Sequence, residues 1–488
     1  DVSVAMGAAD FTTQMVRYAK ASPAGDAVVF ESLGRLYLLR DGAAPRPLLT
    51  DAMNAGHDYA PVWAPDGRTI YFLRWHDQDL GSIRAVRARG GKSRSITDEP
   101  GHYVDLSVSA DGAQLLLRRL GGSPLTHPNW GKNPGIYTYD LAAKRFDFVS
   151  ARGFAPHFGP DARIYASERR RTASGRGSDS AKTKLISMQA DGEDIKEHAE
   201  SALASLILMS PDGAAIAFKE GGRLFVSAAP STGGSIQLGP VAPDSTGPGA
   251  LPTRLVSAAG GEYIAWHSAG RLSWSEGAAF NNVVVDAQIW QPPQVAQTAT
   301  PASFSATAAS QQVAALTILS RDLSQTVSAD QPKGEVALIN ARIITMNAAR
   351  EVIENGTILV RNNRIVAVGD AGSVAMPESA VRVDLSGKTV LPGYVDAHAH
   401  GPYGRAGIIP QQNWSLLAHL ALGVTTVHDP SSRASEVFAA AEYQRAGRIL
   451  APRIYSTAEI VYGAKSTGYD PIETLDDALA VVRRLKAQ

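Results

Sequence analysis

A short phrase that returns six times sets the strongest limit on what this chain can fold into. It reads as an aromatic or apolar strand, a turn built on Ser/Ala-Pro with Gly or Asp, then a second apolar strand. The copies are YAKASPAGDAVVF at 18–30, YAPVWAPDGRTIYFLR at 59–74 and DLSVSADGAQLLLRR at 105–119. They continue as APHFGPDARIYASE at 155–168, SLILMSPDGAAIAF at 205–218 and RLVSAAGGEYIAWHS at 254–268. Pro presets φ and Asp-Gly supplies positive-φ positions, so each copy is expected to be a hairpin between two buried strands. With 23, 65, 110, 160, 211 and 259 as equivalent turns, the steps are 42, 45, 50, 51 and 48 residues. A four-stranded propeller blade takes about 40–50 residues. Third strands follow as GRLYLL at 34–39, GSIRAV at 81–86, GIYTYDL at 135–141, GRLFVSA at 222–228 and GRLSWSE at 270–276. The spacing predicts a β-propeller of six or seven blades over residues 1–290.

The repeated phrase resembles the blades of the periplasmic translocation protein of the Tol system, over roughly residues 15–280. That resemblance implies a fold and says little about function, because propellers serve binding and catalysis alike. It also implies a periplasmic or secreted location. The 45 glycines and 19% charged residues agree with a turn-rich, largely β chain. Trp63, Trp75 and Trp266 lie on blade strands and read as packing between blades. Arg169, Arg170 and Arg171 open a Gly/Ser-rich loop, and a solvated loop is the default for such a run. His57, His76, His102, His127 and His157 are scattered without metal-ligand spacing.

Charge and cysteine content remove several function classes. Lys plus Arg and Asp plus Glu both number 47, so the formal net charge is zero, where a nucleic-acid binder would carry a basic excess. Cysteine is absent, which excludes disulfides, thiolate metal sites and cysteine nucleophiles. No stretch approaches the ~18–20 apolar residues of a membrane span. Asp1 is not an initiator Met, which fits a removed leader or a trimmed chain.

Residues 291–334, rich in Ala, Ser, Thr and Gln, read as a linker or a degenerate seventh blade that includes LTILSRD at 316–322. From residue 335 the strands sharpen: ALINARIITMN at 337–347, GTILVRNNRIVAVGD at 356–370 and AVRVDLSGKTVLPGYVDAHAH at 380–400. The last carries His398 and His400. On a strand, residues i and i+2 leave the same face, so two imidazoles at that spacing can chelate one divalent ion. Asp396 shares the face and could orient a histidine. A lone His-x-His, though, also occurs on exposed strands that hold no metal.

LeuProGlyTyrValAspAlaHisAlaHis, after the β-run and its SerGlyLys turn, resembles the metal-binding signature of the amidohydrolase superfamily, in an imidazolonepropionase-like form. AlaLeuGlyValThrThrValHisAspPro at 421–430 resembles its second barrel strand, after a helix at 412–421. The resemblance implies a small β-sandwich, begun by 335–390, and a (β/α)₈ TIM-type barrel begun by 391–488, with the metal at the strands' C-terminal ends. It implies that His398 and His400 ligate a divalent ion, usually zinc, as one or two ions. The expected reaction is hydrolysis of C–N bonds in amides, cyclic amides or small peptides by a metal-activated water, with the propeller limiting substrate access.

His428 stands where relatives often carry Arg, and is a candidate substrate contact or a loop cap. A barrel needs about 250 residues, and 391–488 suffices for three βα units. The catalytic base and later ligands are therefore expected beyond Gln488, in a continuation of several hundred residues or in another chain. The rival reading is a non-catalytic propeller scaffold with a degenerate barrel. A serine peptidase lacks its Gly-x-Ser-x-Gly elbow here. No nucleic acid or membrane is implied as a partner, and homo-oligomerisation is left open.

Overall fold

The computed structural model describes residues 9–52, 55–97, 99–122, 133–169, 182–230, 234–239, 251–268, 270–290, 316–462, 470–472 and 475–487. Strands dominate, with three α-helices among the described residues, all after residue 413. Six successive sheets share one plan of four antiparallel strands paired in chain order, and the fourth sheet adds a short parallel fifth strand, Ile236–Gln237. Their first strands are Arg17–Ala21, His57–Trp63, His102–Val108, Phe154–Phe158, Ala204–Met209 and Glu262–Ser268. The turns at 23, 65, 110, 160 and 211 join first to second strands in sheets one to five.

Every first strand carries a register shift against its neighbour, the mark of a β-bulge. In five of them the extra residue is left-handed: Tyr18, Ala60, Asp105, Ala155 and Tyr263 have φ between 48° and 58°. A bulge re-aims its side chain. It brings Tyr18 within 4.5 Å of Tyr263 and 6.1 Å of Tyr59, ring to ring, so sheets six, one and two meet at their first strands.

Apolar layers between sheets supply the core. Val16, Ala19, Val28 and Phe30 of sheet one pack on Ala278 and Phe280 of sheet six, which closes the ring. Burying each such aromatic is worth ~1.5–3 kcal/mol. The tryptophans do link sheets: Trp63 Nε1 donates to Lys20 O at 3.1 Å, and Trp266 Nε1 to Leu208 O at 3.4 Å. Trp75 lies against His102 of the next sheet. An N-terminal strand, Asp10–Thr12, pairs with Thr326–Ser328 beyond the last sheet.

Two expectations need correction. The turn near 259 is not a blade hairpin: it links Thr253–Ser257, outermost in sheet five, to Glu262–Ser268, first in sheet six. The first two strands of sheet six pair up to Ser268 opposite Arg271, so GRLSWSE is its second strand. The sequence between Ser268 and Arg271 lacks the Pro and Asp of the repeated phrase, so the motif aligned on the wrong turn. The segment 316–322 forms no separate blade, because Ile318–Asp322 pairs with Ala279–Val284 as the outer strand of sheet six. Arg170, Arg171, His127 and residues 291–315 lie outside the described residues.

Residues 335–390 form one five-stranded mixed sheet, with Glu335–Ile344 flanked by Val352–Arg361 and by the parallel strands Val381–Asp384 and Thr389–Val390. Asn362 and Asn363 both take positive φ, 48° and 70°, in the two-residue turn to Arg364–Asp370, as an Asn-Asn hairpin permits. Three parallel strands follow, with Val424–Asp429 between Tyr394–Asp396 and Arg453–Ser456. The helices are α1 (Trp414–Ala421), α2 (Ala434–Arg445) and α3 (Leu475–Ala487). Helix α1 starts at Asn413, whose side chain accepts from Ser415 and Leu416 N–H, a usual N-cap. Helix α2 buries Ala434, Val437, Ala440 and Tyr443 in a cluster that includes Met15 and Leu33 of the propeller.

Candidate metal centre

The strand Tyr394–Asp396 ends before the two histidines, so His398 and His400 stand on the turn after it rather than on the strand itself. The cause is local. Asp396 Oδ1 accepts the His398 N–H at 3.0 Å, an Asx turn that takes the backbone out of the ladder. Both imidazoles are nonetheless exposed next to each other, by another route. Ala399 is 5% exposed and sits in the core with Met15, Leu33 and Tyr403, while its N–H donates to His428 O at 2.9 Å. With Ala399 turned inward, both neighbours are exposed on the outer side. Their ring centroids lie 5.0 Å apart with planes at 66°. That separation suits two imidazoles sharing one ion, whose Zn–N bonds would be about 2.0–2.1 Å.

Asp396 thus holds the backbone of His398; its other oxygen lies 4.0 Å from His419 Nε2 of α1. His419 Nδ1 donates to Ser415 O at 2.8 Å. His428 is half-buried on the central strand and meets the turn through its carbonyl. Among the described residues no three His, Asp or Glu side chains gather with metal-ligand geometry.

Asp429 was not singled out by its sequence, yet it organises this turn. Its carboxylate is fully buried, accepting Gly401 N–H at 2.9 Å and Ser431 N–H at 2.8 Å. Oδ1 lies 3.7 Å from His400 Nδ1, and Ser431 Oγ lies 3.3 Å from that nitrogen. Burial, and then the Asp429 charge, push the Tyr403 hydroxyl well up, so it stays a neutral donor. The signal was legible in principle: a carboxylate closing an apolar strand, ValThrThrValHisAsp, must find partners once buried.

Propeller residues also reach this region, and nothing in their sequence context announces it. His57 Nδ1 donates to Ile409 O at 2.9 Å, and burial pushes its imidazole pKa down. Arg17 Nη1 donates to Gly407 O at 2.9 Å.

No protein-family model matches the chain. A 62-residue stretch is 45% identical to the 5-methylthioadenosine/S-adenosylhomocysteine deaminases of Bacillus thuringiensis (strain Al Hakam) and Bacillus cereus (strain AH820), covering 13% of this chain. The match spans 14% of the length of those curated relatives. Among solved structures, TolB from Acinetobacter baumannii is 16% identical, with TM-score 0.37, over 56% of this chain and 61% of its own. A putative prolidase from Bifidobacterium longum is 27% identical, with TM-score 0.25, over 31% and 38%. The chain is thus similar to part of those deaminases over one 62-residue stretch.

Proposed function

We propose that this protein is a metal-dependent hydrolase of C–N bonds in amides, cyclic amides or small peptides. The observation that carries the reading is the turn at 398–400, where a buried Ala399 leaves two exposed imidazoles convergent. His398 and His400 would hold a divalent ion, zinc by preference, as one or two ions. When bound, such an ion supplies Lewis acidity towards a carbonyl and a water with pKa lowered towards ~7. Asp396 fixes the His398 backbone, Asp429 fixes the turn on the far side of His400, and His428 borders it.

In this reading the propeller called over 1–290 has six blades, the last completed by Ile318–Asp322, while 335–390 is the first part of a β-sandwich and 391–488 the first three βα units of a barrel. The matched relatives are deaminases, and deamination is also hydrolysis at a C–N bond, which supports this reaction class over ester hydrolysis. The propeller covers the side of the turn facing residues 403–412 and restricts approach from there. The location proposed with it is periplasmic or secreted. No helix among the described residues is long and apolar enough to cross a membrane.

Metal analysis with a substrate panel tests the reading. The protein should retain zinc after dialysis and lose it in His398→Ala and His400→Ala, together with amide or amidine hydrolysis. Full hydrolytic activity in both variants would sink the histidine assignment, whereas an unmodified protein with neither bound zinc nor hydrolysis would favour the non-catalytic scaffold.

A further inference from the structure

The segment joining the histidine turn to α1 is held from two sides. The C-terminal part contributes Asp429 to Gly401 N–H, Asn413 Nδ2 to Pro402 O at 2.7 Å, and Glu436 Oε1 to Gly407 N–H at 3.1 Å. The propeller contributes Arg17 to Gly407 O and His57 to Ile409 O, both at 2.9 Å. Asp77, on a sheet-two hairpin, accepts Gln411 N–H at 3.0 Å and Gln412 N–H at 2.6 Å.

The propeller groups are themselves fixed. Trp75 Nε1 donates to Asp77 Oδ1 at 2.6 Å, and that indole is 1% exposed. His57 stands edge-on to Tyr443 at 5.0 Å. A carbonyl can only accept, so the proton of the buried imidazole sits on Nδ1. These contacts end where the core cluster of Ala399, Tyr403 and Ile409 takes over, with Met15 and Leu33 of sheet one as its propeller wall. The inward turn of Ala399, and with it the outward pair, thus rests on a surface that the propeller builds.

We propose that Asp77 and His57 are positioning residues for divalent-metal binding: by seating 407–412 on the propeller face they keep His398 and His400 convergent. This rests on the metal-ligand reading above. It also gives the propeller a role in shaping the centre, beyond limiting access to it. Outer partners that orient ligands typically carry ~10–100-fold in metal affinity.

The test adds Co2+ to the metal-stripped protein, read by visible ligand-field absorption and equilibrium dialysis. Asp77→Ala and His57→Leu should each weaken Co2+ binding by about 10-fold. His57→Asn, whose Nδ2 stands in for Nδ1, should restore affinity. Asp77→Asn keeps one acceptor oxygen, should bind with intermediate affinity, and replaces Asp77→Ala if that variant does not fold. Thermal melts run alongside, because a merely structural role would lower the melting temperature and leave affinity untouched. If absorption depends on His398 and His400 while Asp77→Ala and His57→Leu bind normally, the positioning role is overturned and the metal reading stands. If the unmodified protein shows no histidine-dependent absorption, both fall.

Discussion

The Tyr443 hydroxyl donates to Glu31 Oε1 at 2.6 Å, joining α2 to the first sheet of the propeller. Arg17 Nε meets Glu31 Oε2 at 2.5 Å, and Gly34 N–H donates to Oε1 at 2.7 Å, so one buried carboxylate collects three donors. Burial followed by the Glu31 charge pushes the Tyr443 hydroxyl up and keeps it protonated. The two halves of the chain are therefore tied by a desolvated charge network, where removing one partner strands another.

Glu31→Gln is expected to cost more than Tyr443→Phe. The first leaves Arg17 buried opposite a neutral amide, about 3–5 kcal/mol. The second removes one donor from a carboxylate that keeps two others, about 1.5–3 kcal/mol. Urea unfolding followed by tryptophan fluorescence ranks them, and equal midpoints would refute the network's asymmetry.

Glu442, one residue before Tyr443, gives a pH dependence. Its Oε1 accepts Gln14 N–H at 2.6 Å and Met15 N–H at 3.2 Å, while Oε2 is buried without a hydrogen-bond partner among the described residues. Burial raises its pKa from 4.5 to about 7. Between those values the folded form holds the proton that the unfolded chain has released, so stability falls as pH rises through the window and stays reduced above it. Glu442→Gln keeps an acceptor oxygen and removes the charge. Its melting temperature should match the unmodified protein at pH 4 and exceed it at pH 8. A difference that does not vary with pH would count against burial as the cause.

Local chemistry carried the sequence reading where it worked. Turns drawn from Pro, Asp and Gly mark five hairpins because the backbone there favours those residues, and the sixth was misplaced because the sequence between Ser268 and Arg271 lacks Pro and Asp. The His398–His400 pair was legible from spacing, but the reason it converges is not strand alternation. Asp396 ends the strand, and a buried Ala399 does the aiming. Asp77 and His57 were illegible, because their partners lie 334 and 352 residues away and only the packed fold brings them together.

Asp429→Asn should loosen the centre without unfolding the protein. The carboxylate accepts from Gly401 and Ser431 through separate oxygens, and an amide turns an N–H towards one of those donors. A buried mismatch of this kind costs about 1–3 kcal/mol. Because Gly401 adjoins His400, Co2+ affinity should fall by ~10-fold as well. A lowered melting temperature with unchanged Co2+ binding would confine Asp429 to a structural role.

Gly407 packs against Tyr18 on the first strand of sheet one. Its φ is +82°, and a Cβ there would run into the Tyr18 hydroxyl. Gly407→Ala therefore carries two separable costs: a left-handed backbone, about 1 kcal/mol, and a clash with a side chain held by Arg17 and Tyr263. Pairing it with Tyr18→Phe removes the clashing oxygen and leaves the backbone cost. The double variant should be more stable than Gly407→Ala alone, by more than Tyr18→Phe changes the parent protein. Additive effects in thermal melts would mean that 407 does not press on Tyr18, and that the docking of this segment depends on Arg17, His57 and Asp77 alone.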